Sequence, residues 1–517
     1  MQTINLEFVA FGLFLVGALA SGPVVDLGYA SYEGAAETTT NITSFLGMRY
    51  ADAPTGSLRF RAPEAPGTIS GVQSATTEPP QCIQLPILST GTAETNPFRM
   101  AVRAPSTEMS EDCLFLSVHY PSDASGKPLP STSGRGLSTV VWIHGGAAIE
   151  RVEAGSCGKE VRRGGALNAG LLDQELALKW VQKYIHDFGG DSGQVTIWGQ
   201  SAGAGSVLQH IIAHDGRTFP PLFANAITSS TFLPSQYRYN DDISEELFGV
   251  VVAGAGCTNV SVANKLSCLR AVDTAILAAV NANISAAAFS GTSVFVPVVE
   301  GPGGLITRSS IEALAKGAVN GQRILSITNT FEGTLMVNAS VSATQNLTQY
   351  AFELFPKLSW EQAAQAGEMY ANVPGGAATI IGEGIFICPT YPLLRAFKDA
   401  RAFKGQFSVA PAIHGLDLEY YFPSLATDVP PFTLPSAFFN NSAFIDAFAG
   451  GFERFASSGS PGGGIAGGWT PWTREDDREM VFAVDADGRP AVQMSPTDAG
   501  LLRRCAFWES LVGSIGQ

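Results

Sequence analysis

One serine in this chain sits in a segment suited to exposing it. Thr196-Ile197-Trp198 is a β-favouring run that leads straight into Gly199-Gln200-Ser201-Ala202-Gly203. A sharp strand-to-helix turn of this composition lifts a serine Oγ clear of the backbone, and glycines on both sides avoid the clash a Cβ would bring. A neutral hydroxyl is a poor nucleophile near pH 7, so Ser201 needs a base, and the base needs a carboxylate to fix its tautomer. Downstream, Asn329-Thr330-Phe331-Glu332-Gly333 sets Glu332 on a turn, and Ile413-His414-Gly415-Leu416-Asp417 offers His414 as the base with an acid just after it. Upstream, His144-Gly145-Gly146-Ala147-Ala148 is a small-residue loop whose N–H groups are open to a developing oxyanion. The other five of the six histidines read as structural: His119, His186, His210 and His214 by position, and His144 as scaffold for the glycine loop.

Each of these groups falls just past a strand-like run. Thr139-Val140-Val141-Trp142-Ile143 precedes the glycine loop, Arg323-Ile324-Leu325-Ser326-Ile327-Thr328 precedes Glu332, and Gln406-Phe407-Ser408-Val409-Ala410 precedes His414. In open α/β sheets, ligands gather at the carboxyl ends of strands. Between them, Leu172, Leu176, Trp180 and Tyr184 recur every four residues, one apolar face of a helix that ends at Gly189-Gly190. Alanine-rich stretches near 262–288 and 360–371 read as helical cover, and 457–468 as a Gly/Ser-rich surface loop. The expected class is α/β.

The order serine, acid, histidine is that of α/β-hydrolases, and the chain resembles the type-B carboxylesterase and lipase family, including fungal Candida rugosa-like enzymes. Further carriers of the likeness are Glu111-Asp112-Cys113-Leu114-Phe115-Leu116-Ser117-Val118, Ser44-Phe45-Leu46-Gly47-Met48-Arg49-Tyr50-Ala51, Leu58-Arg59-Phe60 and Arg504-Cys505-Ala506-Phe507-Trp508. The resemblance covers residues 23–517. It implies an α/β-hydrolase fold, a catalytic set of Ser201, Glu332 and His414, and an oxyanion hole from the N–H groups of Gly146, Ala147 and Ala202. It implies ester hydrolysis through an acyl-enzyme, with no metal or other cofactor. Gln200 departs from the glutamate common at this place in the family, and a neutral side chain argues against cationic choline esters. The resemblance also suggests bridges Cys82–Cys113, around a segment that carries a lid in related lipases, and Cys257–Cys268. Cys157 is left over, and Cys388 and Cys505, in apolar surroundings, read as buried free thiols.

Composition is that of one secreted enzyme. Hydrophobic residues make up 45% of 517 and charged residues 15%, enough for a large core. Forty-six acidic against 31 basic residues leave a net charge of -15, which excludes nucleic acid and anionic lipid as electrostatic partners. Neutral ester or lipid substrates fit best. The apolar run at residues 8–20 ends in Ala18-Leu19-Ala20, a signal-peptidase pattern, so residues 1–20 are expected to leave and 21–517 to form one hydrolase domain. No stretch is expected to make a stable membrane span. Sequons begin at Asn41, Asn259, Asn283, Asn338, Asn346 and Asn440, compatible with the secretory pathway.

The serious departure from the family lies between residues 148 and 169. There the family carries a hydrophobic strand, whereas residues 149–163 of this chain are charged and turn-like. The fold is therefore expected to lack one central strand. Two alternatives to a working enzyme share these motifs: a hydrolase-like chain whose broken or truncated sheet prevents function, and a cholinesterase-like binding module. The intact Ser201, Glu332 and His414 argue against the second.

Overall fold

The computed structural model describes residues 22–83, 108–131, 134–146, 158–289, 291–337, 346–398, 401–422, 438–462 and 468–517. The N-terminal strands are short: β1 (Val24–Asp26), β2 (Ser31–Glu33), β3 (Ala35–Glu37), β4 (Ile42–Arg49), β5 (Val72–Ser74), β6 (Gln81–Cys82), β7 (Met109–Ser110) and β8 (Phe115–Pro121). The main sheet comes next, with β9 (Leu137–Ile143), β10 (Gly190–Gln200), β11 (Asn225–Ser229), β12 (Arg323–Asn329), β13 (Ala402–Phe407), β14 (Arg478–Val484) and β15 (Pro490–Pro496). Its spatial order is β15-β14-β13-β12-β11-β10-β9, parallel except for the β14–β15 hairpin.

Alternation along the strands divides the core. Ile197, Ala226 and Ile324 point to one face, while Trp198, Ile227 and Leu325 point to the other. The first face is covered by α2 (Ala169–Tyr184) and α3 (Ala202–Ile212), the second by the helix Ser442–Ser458. That helix buries Phe444, Phe448, Phe452 and Phe455, spaced four, four and three, so one stripe of rings meets the sheet. A smaller cluster holds Phe60, Val161, Phe248 and Leu266 around Cys257. The helical run Ala377–Ala396 is long and apolar enough to cross a membrane, but 89% of its most apolar 18-residue stretch is buried inside the fold, as befits a core helix.

The sheet stops where the sequence lacks a strand. Among the described residues β9 pairs only with β10, and β8 pairs only with β4, in a separate sheet of order β3-β4-β8. Val140, in the middle of β9, is exposed. Residues 147–157 lie outside the described residues, but 159–164 are not turn-like as the sequence suggested. They form α1 (Lys159–Gly164), which buries Val161 in the smaller cluster and pairs Arg163 with Glu160.

A second expectation is corrected by the cysteines. Cys82–Cys113 and Cys257–Cys268 are bridged as the resemblance suggested. Cys388 and Cys505 are indeed buried, yet they are not free thiols: they form a third disulfide, because the helix Ala499–Ser510 packs over the segment that ends at Cys388. Cys157 lies outside the described residues.

Candidate active site

The turn at Ser201 is as tight as a turn can be. Strand β10 ends at Gln200 and α3 begins at Ala202, so Ser201 alone reverses the chain, at φ 57° and ψ -125°. Such a backbone costs a non-glycine residue about 1–3 kcal/mol and persists only where its surroundings hold it. The Ser201 N–H donates to Ser229 O at 3.0 Å, and its carbonyl accepts from Gly205 N–H at 2.9 Å. The glycines are steric requirements. A Cβ on Gly199 would lie 2.3 Å from the Gly203 carbonyl, and one on Gly203 only 2.1 Å from Ile143 O. The start of α3 therefore rests directly on the end of β9.

Beyond the serine runs a line of hydrogen bonds. His414 Nε2 is 2.8 Å from Ser201 Oγ, and His414 Nδ1 is 2.6 Å from Glu332 Oε2. With Glu332 ionised, Nδ1 carries the proton and the Nε2 lone pair is free to accept the serine hydroxyl. The other carboxylate oxygen, Oε1, accepts the Asn329 N–H at 2.6 Å. The turns that carry acid and base are laced together: Thr330 N–H donates to Phe407 O, and Phe331 N–H to Ala412 O. All three groups are nearly sealed from solvent, Glu332 at 1% exposure and Ser201 and His414 at 8%, which strengthens each charge-assisted contact. Gln200 is buried beside them, its Nε2 3.4 Å from His414 Nε2.

Asp417 is a second carboxyl in this interior. Burial pushes it up to about 6, against the pull of the Asn329 hydrogen bond and helped by the Glu332 charge. Asn329 links the two acids: its side-chain Nδ2 donates to Asp417 Oδ1 at 3.0 Å while its backbone N–H serves Glu332. Burial, then the charge of Asp417, holds the nearby Tyr421 phenol well above its ordinary value. Ser229 Oγ donates to that phenol and accepts from Trp198 Nε1, so the network runs back to β10 and β11.

For an oxyanion, the structure offers the end of β9 and the start of α3. Ala202 is the first residue of α3, where helix N–H groups have no acceptor within the helix. Gly146 has φ 131°, a conformation open only to glycine. A Cβ on Gly145 would lie 3.2 Å from Ser201 Cβ, so this loop touches the serine. Ala147 lies outside the described residues. The remaining histidines sit apart from the relay: His210, neutral at pH 7 because burial pushes it down to about 4, is 3.0 Å from Gln174 Oε1. His214 faces Glu175, His119 faces Ser44, and His186 pairs with Asp187. His144 Nδ1 is 3.0 Å from Gly145 O, in keeping with a scaffold role. Sequence reasoning missed Asn329, Tyr421 and Phe386, whose ring lies 4.6 Å from that of His414. Only Asn329, at the end of the strand before Glu332, carried a local signal.

Comparison with known proteins bears on this arrangement directly. The carboxylesterase family profile matches residues 21–163 and 156–508. The chain belongs to the carboxylesterase family. As a member it is a carboxylic ester hydrolase, and the matched stretches meet at residues 156–163, close to the interruption in the sheet. It is 26% identical to Carboxylesterase patB of Aspergillus clavatus over 96% of this chain and 97% of that one. Pyrethroid hydrolase Ces2a of Mus musculus is 34% identical over about half of each chain, 47% and 46%. Among solved structures, EstA of Aspergillus niger superposes with a TM-score of 0.79 at 27% identity, over 96% of this carboxylesterase and 99% of EstA. These likenesses make the fold an α/β-hydrolase.

Proposed function

We propose that the chain is a secreted serine esterase that hydrolyses neutral carboxylic esters through Ser201, His414 and Glu332. The observation that carries this reading is the unbroken line from Ser201 Oγ through both nitrogens of His414 to Glu332. Ser201 Oγ attacks the ester carbonyl as His414 Nε2 takes its proton, and Glu332 offsets the imidazolium charge. The tetrahedral oxyanion meets the N–H groups of Gly146, Ala147 and Ala202, each worth about 3 kcal/mol in such sites. His414 then gives the proton to the departing alkoxide, leaving an acyl-enzyme. Water, deprotonated by the same nitrogen, attacks the acyl carbonyl, and Ser201 recovers its proton as the acid is released.

A cavity of about 300 Å³ is lined by Pro234, Val296, Val298, Leu354, Phe355 and Ile385, apolar along most of its wall. Ile385 lines it, and the next residue, Phe386, lies against His414. Passage through the secretory pathway is supported by the apolar run at 8–20, by three disulfides, and by exposed sequon asparagines at Asn41, Asn259, Asn283, Asn346 and Asn440. Asn338 and the leader lie outside the described residues.

The reading is tested by a fluorophosphonate probe and a graded series of p-nitrophenyl esters. The secreted protein should label once and hydrolyse the esters, and Ser201→Ala should abolish both. Hydrolysis that survives in Ser201→Ala would remove the serine mechanism.

A further inference from the structure

Rotation of the His414 ring about its Cβ–Cγ bond swings Nδ1 and Nε2 together, so the bonds to Ser201 and to Glu332 both depend on that one angle. A packing contact on the ring face resists the swing and keeps Nε2 aimed at Ser201 Oγ. Phe386 makes that contact, its ring centroid 4.6 Å from that of His414 at 53°, and Phe232 backs it from 5.4 Å.

Phe386 is carried by an unusual element. Gly382–Ile387 is a π-helix with all six residues buried, closed by Cys388 N–H donating to Glu383 O five residues back. Single π turns are frequent at functional sites. This one meets both the acid and the base. A Cβ on Gly382 would lie 2.8 Å from Gly333 N and 3.6 Å from the Glu332 carbonyl carbon, so its first residue backs the Glu332 turn. Its fifth residue is Phe386.

The side away from the site is gripped by the helix Ala499–Ser510 and by Gln517. Arg504 donates from Nη2 and Nε to the two oxygens of the buried Glu383, at 2.6 and 2.8 Å. Tyr370 OH donates to Glu383 at 2.6 Å and accepts from Trp508 Nε1 at 2.8 Å. The Gln517 side chain donates to Gly384 O, and Cys505 is bonded to Cys388. These groups bind the π-helix and its flank, not the His414 relay.

We propose that Phe386 is a positioning residue that holds the His414 ring plane and keeps water from it, and that the Glu383–Arg504 pair sets Phe386 by fixing the π-helix. The proposal rests on the Ser201–His414–Glu332 reading. It asks nothing of substrate binding, so it separates kcat from KM. Misplacing a reacting group by about 1 Å costs on the order of a hundredfold in rate.

The test uses p-nitrophenyl acetate and the low-field proton NMR signal of the His414 Nδ1–H. Phe386→Ala should lower kcat at least tenfold with KM within twofold, and should broaden or erase that signal through exchange with water. Phe386→Leu, which restores apolar cover, should recover most of both. The double variant Glu383→Gln/Arg504→Gln, which removes the pair without stranding a charge, should lose kcat in the same sense. Where the alanine variant does not fold, Phe386→Val carries the same test. A Phe386 variant with unchanged kcat and an unchanged low-field signal overturns the proposal, as does a rise in KM alone, which would make Phe386 part of a substrate wall. An unaffected double variant overturns the role of the pair. Activity persisting in Ser201→Ala would instead sink the relay reading, a result that no Phe386 variant can produce.

Discussion

Asp417 is fully buried against Glu332, and its proton is a variable that stability measurements can read. Its folded value of about 6 lies above its ordinary 3.8 because burial penalises the charge. The favourable contribution of the protonated form is complete below pH 4 and is lost as pH rises through 6. About two pKa units correspond to roughly 3 kcal/mol. Asp417→Asn cannot ionise, so relative to the native chain it should gain roughly 3 kcal/mol between pH 4 and pH 8. Denaturant unfolding of both proteins at the two pH values checks this, and parallel profiles would refute it. At the elbow, Gly203→Ala should both unfold readily and lose activity, because its new Cβ meets Ile143 O at 2.1 Å. Overpacking against backbone typically costs about 1–3 kcal/mol or more, which should appear as a lower melting temperature. Ser201, Glu332 and His414 were legible because each comes just after a strand and the chemistry restricts which residue types can serve. Phe386 was not, since a phenylalanine in an apolar stretch looks like core until the fold sets it against an imidazole.

Elements were legible wherever a local period or a short spacing marked them. The four-residue recurrence from Leu172 to Tyr184 gave α2, and the β-branched runs gave β9, β10 and β12, whereas the run read at 406–410 overlaps only the end of β13 and nothing marked β11. The pairs Cys82–Cys113 and Cys257–Cys268 close spans of 31 and 11 residues, but Cys388–Cys505 spans 117 and has no local mark. The π-helix was equally silent, because Gly382–Ile387 has no local period that distinguishes a hydrogen bond to the fifth residue back from one to the fourth. The long bridge should matter for stability. Loop-closure entropy for a loop of about 100 residues amounts to as much as 4.7 kcal/mol in the chain-entropy account, with measured effects more often about 2–4. Cys388→Ser/Cys505→Ser should therefore unfold at clearly lower denaturant concentration than the native protein, and an unchanged midpoint would argue that the cover holds without it.

At the scale of the whole molecule, the main sheet of this α/β-hydrolase ends at β9 among the described residues, and residues 149–163 lack the continuous apolar run that a buried parallel strand needs. Among the described residues strand β9 has an unpaired edge, with Val140 exposed in its middle. A bare apolar edge is a template for pairing with another chain. The native chain should thus self-associate as its concentration rises, while dilute protein labels and hydrolyses esters. Replacing residues 149–165 with a longer segment that carries a hydrophobic strand should suppress that association and keep esterase activity, as size-exclusion chromatography and ester assay would register. Native protein that stays monodisperse at every concentration would refute the expectation. The open edge also makes concentration a property of the enzyme. Because pairing between edges is second order in protein, activity per milligram should fall as a stock is concentrated and return slowly on dilution. Two laboratories assaying the same preparation at different strengths would then report different enzymes, and Val140→Lys, a charge on the bare edge, should bring their numbers together.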